Sequence, residues 1–218
     1  VTRPLRDGAR TLAAAYIICP ADGAISQIGE ITSGRIVQAK GRAFTVTDLL
    51  GGDSERAAGF ADGSFATIYL SPRDYHRVHM PMSAHLSATC YVPGDLFSVN
   101  AVTADNVDRL FARNERLVCY FAAGAVPMVM VLVGAMVVAG IETVWSGRVT
   151  PPRRRRTVFT DHRGLPDAID LSRGEEMGRF LLGSTVILLF PPGIMRWRES
   201  LGAGSEIRLG EELGALVS

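Results

Sequence analysis

The stretch FLLGSTVILLFPPG, residues 180–193, decides the fold, because it joins a long apolar run to a turn signal. Its apolar and strand-favouring residues predict a buried strand that ends at the Pro-Pro-Gly turn. Gly183, Ser184 and Thr185 interrupt the run, and a glycine inside a strand indicates a bulge, a bend or a close approach to the backbone. The simplest interpretation of the interruption is a bulge whose two hydroxyl groups bond to nearby backbone.

The composition indicates a globular chain with no general attraction to nucleic acid. Of the 218 residues, 47% are hydrophobic and 21% are charged, and the formal net charge is +1. Any basic surface must therefore be local. Cys19, Cys90 and Cys119 are odd in number, lack metal-like spacing and lie among apolar neighbours. They predict small buried side chains in a reducing compartment.

Short strand-like segments with glycine-marked turns recur along the chain and predict a mainly β (α+β) fold. The clearest of these segments are residues 23–31, 34–41, 64–71, 85–92 and 116–122. A further segment, AVPMVMVLVGAMVVAGI at residues 125–141, is the one candidate for a membrane span, at the short limit for such a helix. Its valines and Gly134 favour two short buried strands instead.

Helical signals are few and lie between the strand-like segments. Thr103 is predicted to cap a helix that follows it, and Thr47 is predicted to open a short helical turn. Residues 172–180 predict another short helix, ending near Gly178. The proline- and arginine-rich region 148–174 is expected to be the least ordered part of the chain.

Four residues form a reactive set if the fold brings them together: Asp22, His76, His79 and Ser184. A serine hydroxyl is a poor nucleophile until a neighbouring base takes its proton, and imidazole has suitable basicity near neutral pH. A carboxylate can fix the tautomer of that imidazole and stabilise its cation. The residue types therefore suit nucleophilic chemistry, although the sequence does not show that they meet.

Each of these residues also has a plainer interpretation. Asp22 lies in Pro-Ala-Asp-Gly, which is typical of a turn before a glycine with unusual dihedral angles. His76 and His79 are spaced to share a helix face and bind a metal, but the flanking prolines and the lack of a third ligand disfavour a metal site. The run Arg153 to Arg156 suits a solvated loop or a surface near anionic lipid headgroups.

Several blocks, taken together and in this order, resemble phosphatidylserine decarboxylase of the bacterial membrane-associated type. The blocks are CPADGAISQIGEI, IVQAKG, YLSPRDYHRVHMP, YVPGDLFSVN, LFARNERLVCYF, VLVGAMVVAGIETVW and EEMGRFLLGSTVILLFPPG. They cover most of residues 19–193. The combination of Leu-Gly-Ser-Thr in an apolar strand with Tyr-His-Arg-Val-His-Met-Pro is specific to that family, whereas neither motif is decisive alone.

This resemblance implies that residues 1–218 form a single catalytic domain that cuts itself between Gly183 and Ser184. Ser184 would attack the carbonyl of Gly183 and replace the amide with an ester. Elimination from the ester would release residues 1–183 as the large subunit. Residues 184–218 would form the small subunit, headed by a pyruvoyl group made from Ser184. No metal is implied.

The family also implies a role for each reactive residue. His79 would be the base that takes the Ser184 proton, and Asp22 would orient His79, as in a serine-protease triad used once. The pyruvoyl carbonyl would form a Schiff base with the amine of phosphatidylserine and accept electrons as carbon dioxide leaves. Phosphatidylethanolamine would be the product. His76 would bind the substrate carboxylate or take part in the proton transfer.

For the whole molecule, the resemblance implies a β core like the barrel-sandwich hybrids of biotinyl and lipoyl carriers, with a few flanking helices. It further implies a homodimer, bound peripherally at the anionic cytoplasmic face of the cell membrane. The printed sequence starts without a methionine, so we expect more chain upstream, including amphipathic membrane-associating helices that these 218 residues lack.

Two alternative functions remain open at this point. A related pyruvoyl enzyme would act on another serine-headgroup lipid, archaetidylserine, although such relatives usually lack the Tyr-His-Arg-Val-His block in this form. A carrier-like β module would bind a partner and never cut itself. Lys40 is the only lysine, and its Ala-Lys-Gly setting differs from the lysine hairpin of carrier domains.

Overall fold

Antiparallel strands make up most of the structure, a computed structural model that describes residues 3–6, 8–136, 140–150, 155–164, 167–181 and 184–217. The first nine strands are β1 (Ile17–Ile18), β2 (Gly23–Glu30), β3 (Arg35–Ala39), β4 (Arg42–Thr45), β5 (Ser64–Leu70), β6 (Arg77–His79), β7 (Ala84–Val92), β8 (Arg116–Ala123) and β9 (Val126–Val133). The others are β10 (Ile141–Thr143), β11 (Gly147–Arg148), β12 (Val158–Asp161), β13 (Asp170–Leu171), β14 (Glu176–Phe180), β15 (Ser184–Phe190), β16 (Met195–Trp197), β17 (Glu206–Ile207) and β18 (Glu212–Leu216). The helices are α1 (Val46–Leu49), α2 (Ser54–Ala58), α3 (Ala101–Asn106) and α4 (Leu110–Arg113).

The largest sheet has the order β12-β7-β8-β9-β15-β5-β2-β17, and β13 also pairs with β7. A smaller sheet has the order β11-β10-β14-β6. Two more sheets are made of β1-β18-β16 and of β3-β4. The prediction of a mainly β fold with a few helices is confirmed, and within the described ranges these sheets stay open and do not close into one ring.

The strand β15 lies in the middle of the large sheet, between β9 and β5, and is buried on both faces. Val186, Leu188 and Phe190 belong to one apolar cluster, whereas Ile187 and Leu189 belong to a second cluster on the opposite face. Burial on both faces explains why the run is apolar at every position and does not alternate. Each such side chain contributes about 1.5–3 kcal/mol to folding when it is fully buried.

The interruption of the apolar run marks the start of this strand. Ser184 is the first residue of β15 and pairs with Leu70 of β5, while Leu182 and Gly183 lie outside the described residues. Neither Ser184 Oγ nor Thr185 Oγ1 has a hydrogen-bond partner in the described chain, although both are buried. The interpretation of a hydroxyl pair bonded to nearby backbone is therefore wrong.

The segment 125–141 contains one long strand, β9, and the first residue of β10. The buried β9, which ends just before Gly134, agrees with the first of the two predicted strands, whereas much of the second falls on residues 137–139, which lie outside the described part. Among the helices in the described ranges, none combines the length and apolar composition that a membrane crossing requires. The three cysteines are free and buried, as their apolar neighbours predicted.

The helical predictions were correct in part. The predicted turn at Thr47 lies in α1, which Thr45 caps by accepting a hydrogen bond from the Asp48 N–H. Asn100, not Thr103, caps α3, because the amide oxygen of Asn100 accepts from the Thr103 N–H.

The predicted helix over 172–180 is wrong, because residues 176–180 form β14 between β6 and β10. Gly178 permits this placement, since a Cβ there would collide with the carbonyl oxygen of Glu142.

Candidate active site

The candidate site is centred on the hydroxyl of Ser184 at the start of β15. Ser184 is fully buried, and its Oγ has no hydrogen-bond partner among the described residues. Leaving a buried hydroxyl unpaired costs about 1–3 kcal/mol. Such an atom needs an explanation, and an unsatisfied nucleophile at a functional site is one.

The face of β15 that carries Ser184 is covered by the smaller sheet. Side chains alternate along a strand, so Ser184 shares a face with Val186. Val186 packs in the same cluster as Val78 of β6 and Phe180 of β14. The chain leaves β14 at Phe180 and enters β15 at Ser184, so Ser184 opens the strand that follows the smaller sheet.

The ring of His79 is held by two groups from different parts of the chain. Its Nδ1 donates to the carbonyl oxygen of Gly174 at 2.8 Å, and its Nε2 lies 3.2 Å from the hydroxyl of Tyr75. A carbonyl oxygen can only accept, so Nδ1 carries the proton and Nε2 accepts from the Tyr75 hydroxyl. Burial, the largest influence, lowers the pKa of His79. The neutral ring therefore presents a basic Nε2 at neutral pH.

The ring of His76 is held in the same manner and is fully buried. Its Nδ1 donates to the carbonyl oxygen of Asp74 at 2.6 Å, which leaves Nε2 without a proton. In the described chain Nε2 has no partner, and burial lowers the pKa of His76. The backbone carbonyl of His76 accepts from the Phe180 N–H at 2.9 Å, which ties this residue to the end of β14.

Asp22 lies beside His79 but does not bond to its ring. The Asp22 carboxylate accepts from the Arg10 guanidinium and from the Leu209 N–H, the latter at 2.9 Å. The His79 N–H donates to the carbonyl of Pro20 at 2.8 Å, so β6 is fastened to the segment before Asp22. The Asp22 charge acts to raise the pKa of His79, a smaller influence than the burial that lowers it.

The turn interpretation of Asp22 needs a correction at the next residue. Gly23 does not have a positive φ, so no unusual dihedral angle demands a glycine there. Gly23 opens β2, and a Cβ would collide with the carbonyl oxygen of Tyr69 on β5. Close strand approach is the reason for this glycine.

The fold thus places Asp22 close to His79, ties His76 to the end of β14 and puts Ser184 at the start of β15, whereas Gly183 lies outside the described residues. Sequence reasoning missed Gly174 and Tyr75, which hold His79. Tyr75 lies in the same sequence block as both histidines, so the motif itself could have identified it. No sequence pattern indicated Gly174, because it is 95 positions from His79. It is also the last residue of the region expected to be least ordered.

The sequence also raised a metal site and a lipid-facing arginine run, which the structure describes only in part. Where residues are described, no group of three or more His, Cys, Asp or Glu side chains is placed to hold a metal ion. Of the run from Arg153 to Arg156, the first two residues lie outside the described part. Arg155 is exposed, and its guanidinium donates to the carbonyl of Gly94.

Comparisons with known proteins point to one family. The family model for phosphatidylserine decarboxylase matches residues 1–215. A protein of Pseudomonas putida is 57% identical over 218 residues, covering 99% of this chain and 76% of its own length. A protein of Stutzerimonas stutzeri is 59% identical over 215 residues, covering 98% of this chain and 72% of its own length. Both carry the name phosphatidylserine decarboxylase proenzyme. Given a family match over almost the whole chain and this level of identity, the protein belongs to the phosphatidylserine decarboxylase family.

Proposed function

We propose that this chain is a self-cleaving, pyruvoyl-dependent decarboxylase that converts phosphatidylserine to phosphatidylethanolamine and carbon dioxide. The observation that carries the proposal is the buried Ser184 hydroxyl, unpaired among described residues, on the face covered by the strand that holds His79. Family membership supplies the substrate, since the relatives are named for phosphatidylserine.

The first reaction is self-cleavage at the Gly183–Ser184 bond. The Tyr75 hydroxyl first turns away from His79 Nε2, which then takes the Ser184 proton as Oγ attacks the Gly183 carbonyl. The C–O bond forms, the C–N bond breaks, and the proton passes to the freed amino nitrogen. Elimination of the Gly183 carboxylate then leaves dehydroalanine at position 184. Addition of water and loss of ammonia give the pyruvoyl group.

The residues present fit such a group at position 184. The hydroxyl consumed in the reaction is buried and has no hydrogen bond in the described chain that would have to be broken. His76 Nε2 is a second buried polar atom without a described partner, and it offers an acceptor in the same region. When formed, the pyruvoyl group supplies the electron-withdrawing carbonyl that this decarboxylation needs.

His79 and Asp22 act together in self-cleavage, but through separate contacts. The Gly174 carbonyl fixes the tautomer of His79, which is the part that a triad carboxylate usually plays. Asp22 stabilises the imidazolium through its charge and holds the Leu209 backbone against the site. Substitution of either residue is expected to block maturation first.

His76 acts in turnover by relaying a proton: its bare Nε2 takes one up and passes it to the carbon that has lost carbon dioxide. A neutral ring with a bare Nε2 repels a carboxylate, so proton transfer suits His76 better than carboxylate binding. His76→Gln is expected to spare cleavage more than turnover, the reverse of His79→Gln.

Because the substrate is a membrane lipid, the protein works as a peripheral membrane enzyme. We place it at the anionic cytoplasmic face, and we propose that it is a homodimer. Flotation with phosphatidylserine vesicles and sedimentation analysis test these two parts of the proposal. Protein that stays with the bulk solution, or that sediments as a monomer while fully active, would contradict them.

A denaturing gel with mass spectrometry tests the central proposal. The wild-type chain is expected to give fragments 1–183 and 184–218, the second headed by a pyruvoyl group, and to release carbon dioxide from phosphatidylserine. Ser184→Ala is expected to give one band and no activity. A single intact band from wild type would favour the carrier-like module. Cleavage with turnover of archaetidylserine alone would favour the other lipid.

A further inference from the structure

A cleft of about 850 Å³ opens beside the candidate site. Its lining includes Asp22 from the reactive set and Tyr75, whose hydroxyl holds His79. Tyr69 and Ser71 also line it, and they flank Leu70, the residue that pairs with Ser184. Leu70, the pairing partner of Ser184, therefore lies between two residues that line the cleft.

Three arginines and three carboxylates line the cleft, and some of them already have partners. Arg10 is paired with Asp22, and the Asp74 carboxylate accepts from the Ser71 N–H at 2.7 Å. The side chains of Arg73 and Arg208 have no ion pair or hydrogen bond with the described residues, and both residues are exposed. Two guanidinium groups thus remain available to a ligand in the cleft.

The two arginines are placed by well-defined backbone. Arg73 lies in a turn closed by the Asp74 N–H, which donates to the Ser71 carbonyl at 2.9 Å. Arg208 directly follows β17, whose Ile207 pairs with Gly23, and it precedes Leu209, whose N–H binds Asp22. Both segments, which lie far apart in the chain, line the same cleft as Asp22.

We propose that Arg73 and Arg208 bind the phosphodiester of the substrate headgroup and so position its amine beside residue 184. A guanidinium fork matches two phosphate oxygens and binds them with charge-assisted hydrogen bonds. Arg73 belongs to residues 1–183 and Arg208 to residues 184–218, so the phosphate site needs both fragments. The identity of the ligand rests on the proposed function, whereas the existence of an anion site rests on the two arginines that line the cleft.

Direct binding tests this inference without relying on turnover. The probe is glycerophosphoethanolamine, which has the phosphodiester but no carboxylate, titrated calorimetrically into the wild-type protein. Arg73→Gln and Arg208→Gln are each expected to weaken binding about tenfold, as loss of a charge-assisted hydrogen bond predicts. Arg73→Lys and Arg208→Lys, which keep the charge but lose the fork, should give intermediate affinities. Arg196→Gln, an exposed arginine on β16 outside this cleft, is the matched control.

A second probe separates phosphate from carboxylate recognition. O-Methylserine has the carboxylate and the amine but no phosphate, and its binding should not change in the arginine variants. If glycerophosphoethanolamine bound equally well to Arg73→Gln, Arg208→Gln and wild type, or if only O-methylserine lost affinity, the inference would be overturned. Each variant is first compared with wild type in thermal unfolding. If a glutamine variant misfolds, the affinity of the corresponding lysine variant for glycerophosphoethanolamine tests the inference instead.

The outcome also distinguishes this inference from the proposed function. A chain that stays intact and releases no carbon dioxide, yet binds glycerophosphoethanolamine through both arginines, would refute the function and keep the anion site. A chain that decarboxylates phosphatidylserine while Arg73→Gln and Arg208→Gln bind the probe normally would refute the anion site alone.

Discussion

Two imidazole rings in the site are held by main-chain carbonyls, and this determines which nitrogen of each ring is basic. His79 donates to Gly174 and His76 donates to Asp74, so both rings keep Nε2 free of a proton. A main-chain carbonyl cannot titrate, so the tautomer does not depend on pH as it would with a carboxylate partner. The two rings differ in one respect, since only His79 Nε2 has a described partner, the Tyr75 hydroxyl.

That hydroxyl leads to a prediction about the pH dependence of self-cleavage. Donation from Tyr75 favours the neutral form of His79, so Tyr75→Phe should raise the His79 pKa above its burial-lowered value. A hydrogen bond of about 0.5–1.5 kcal/mol corresponds to a rise of up to about one pH unit. The rate of fragment appearance, followed by pulse labelling at several pH values, should show its acid midpoint move upward.

Tyr16→Phe is the matched control for this prediction, because Tyr16 is 59% exposed and has no described contact with either histidine. An unchanged midpoint in Tyr75→Phe would mean that the hydroxyl does not act on Nε2. A shift in both variants would point to an indirect effect of losing a tyrosine.

The central strand β15 shows how far hydrophobic pattern predicts an element. The apolar run, its end at Pro-Pro-Gly and its burial follow from residue type alone, because a strand between two cores is apolar at every position. The same reasoning failed for residues 172–180, which include β14, since two glutamates, a methionine and two glycines carry no strong period. Pairing with β6 and β10 decided that segment, and such tertiary contacts override local propensity.

The burial of β15 leads to a prediction about stability. Leu188 is completely buried, and it pairs with Ala66 of β5 and Met130 of β9. Leu188→Ala should lower the free energy of unfolding by about 2–5 kcal/mol through lost burial and the cavity left behind. Urea unfolding measures this best in the Ser184→Ala background, which keeps the chain intact.

Val158→Ala is the control for Leu188→Ala, because Val158 lies on the exposed strand β12 and is 41% exposed. Its effect should stay within about 0.5 kcal/mol. Equal losses in both variants would show that β15 is not the buried centre of the sheet.

At the scale of the whole molecule, the site is assembled from segments that are far apart in the chain. Asp22 and Leu209 are separated by 187 positions, and His79 and Gly174 by 95. The reactive residue types were visible in the sequence, but their partners were not, because no local pattern encodes contacts at such separations. The contact between Asp22 and Leu209 ties residues 1–183 to residues 184–218, and β15 pairs with β5 and β9 of the larger part.

Burial of the two site histidines also makes the stability of the molecule depend on pH. Burial lowers the pKa of both His76 and His79 in the folded protein, whereas an unfolded chain has histidine pKa values of about 6.5. The unfolded chain therefore binds more protons as the pH falls below about 6.5. Stability is fully present above that pH and is lost on acidification, by at most about 1.4 kcal/mol per pH unit for each histidine.

Urea unfolding of the Ser184→Ala protein between about pH 7 and pH 5 should show this loss, in a range above the ordinary titration of carboxylates. The carboxylates of Glu176 and Asp22 act to raise the pKa of His79 and Arg77 acts to lower it, while Asp74 acts to raise the pKa of His76, but burial is the largest influence on both rings. The double variant His76→Gln, His79→Gln should have a flatter pH dependence than its parent, because glutamine does not titrate. If the free energy of unfolding fell equally steeply with pH in the double variant and its parent, the prediction would be contradicted. The acid sensitivity would then arise elsewhere in the fold.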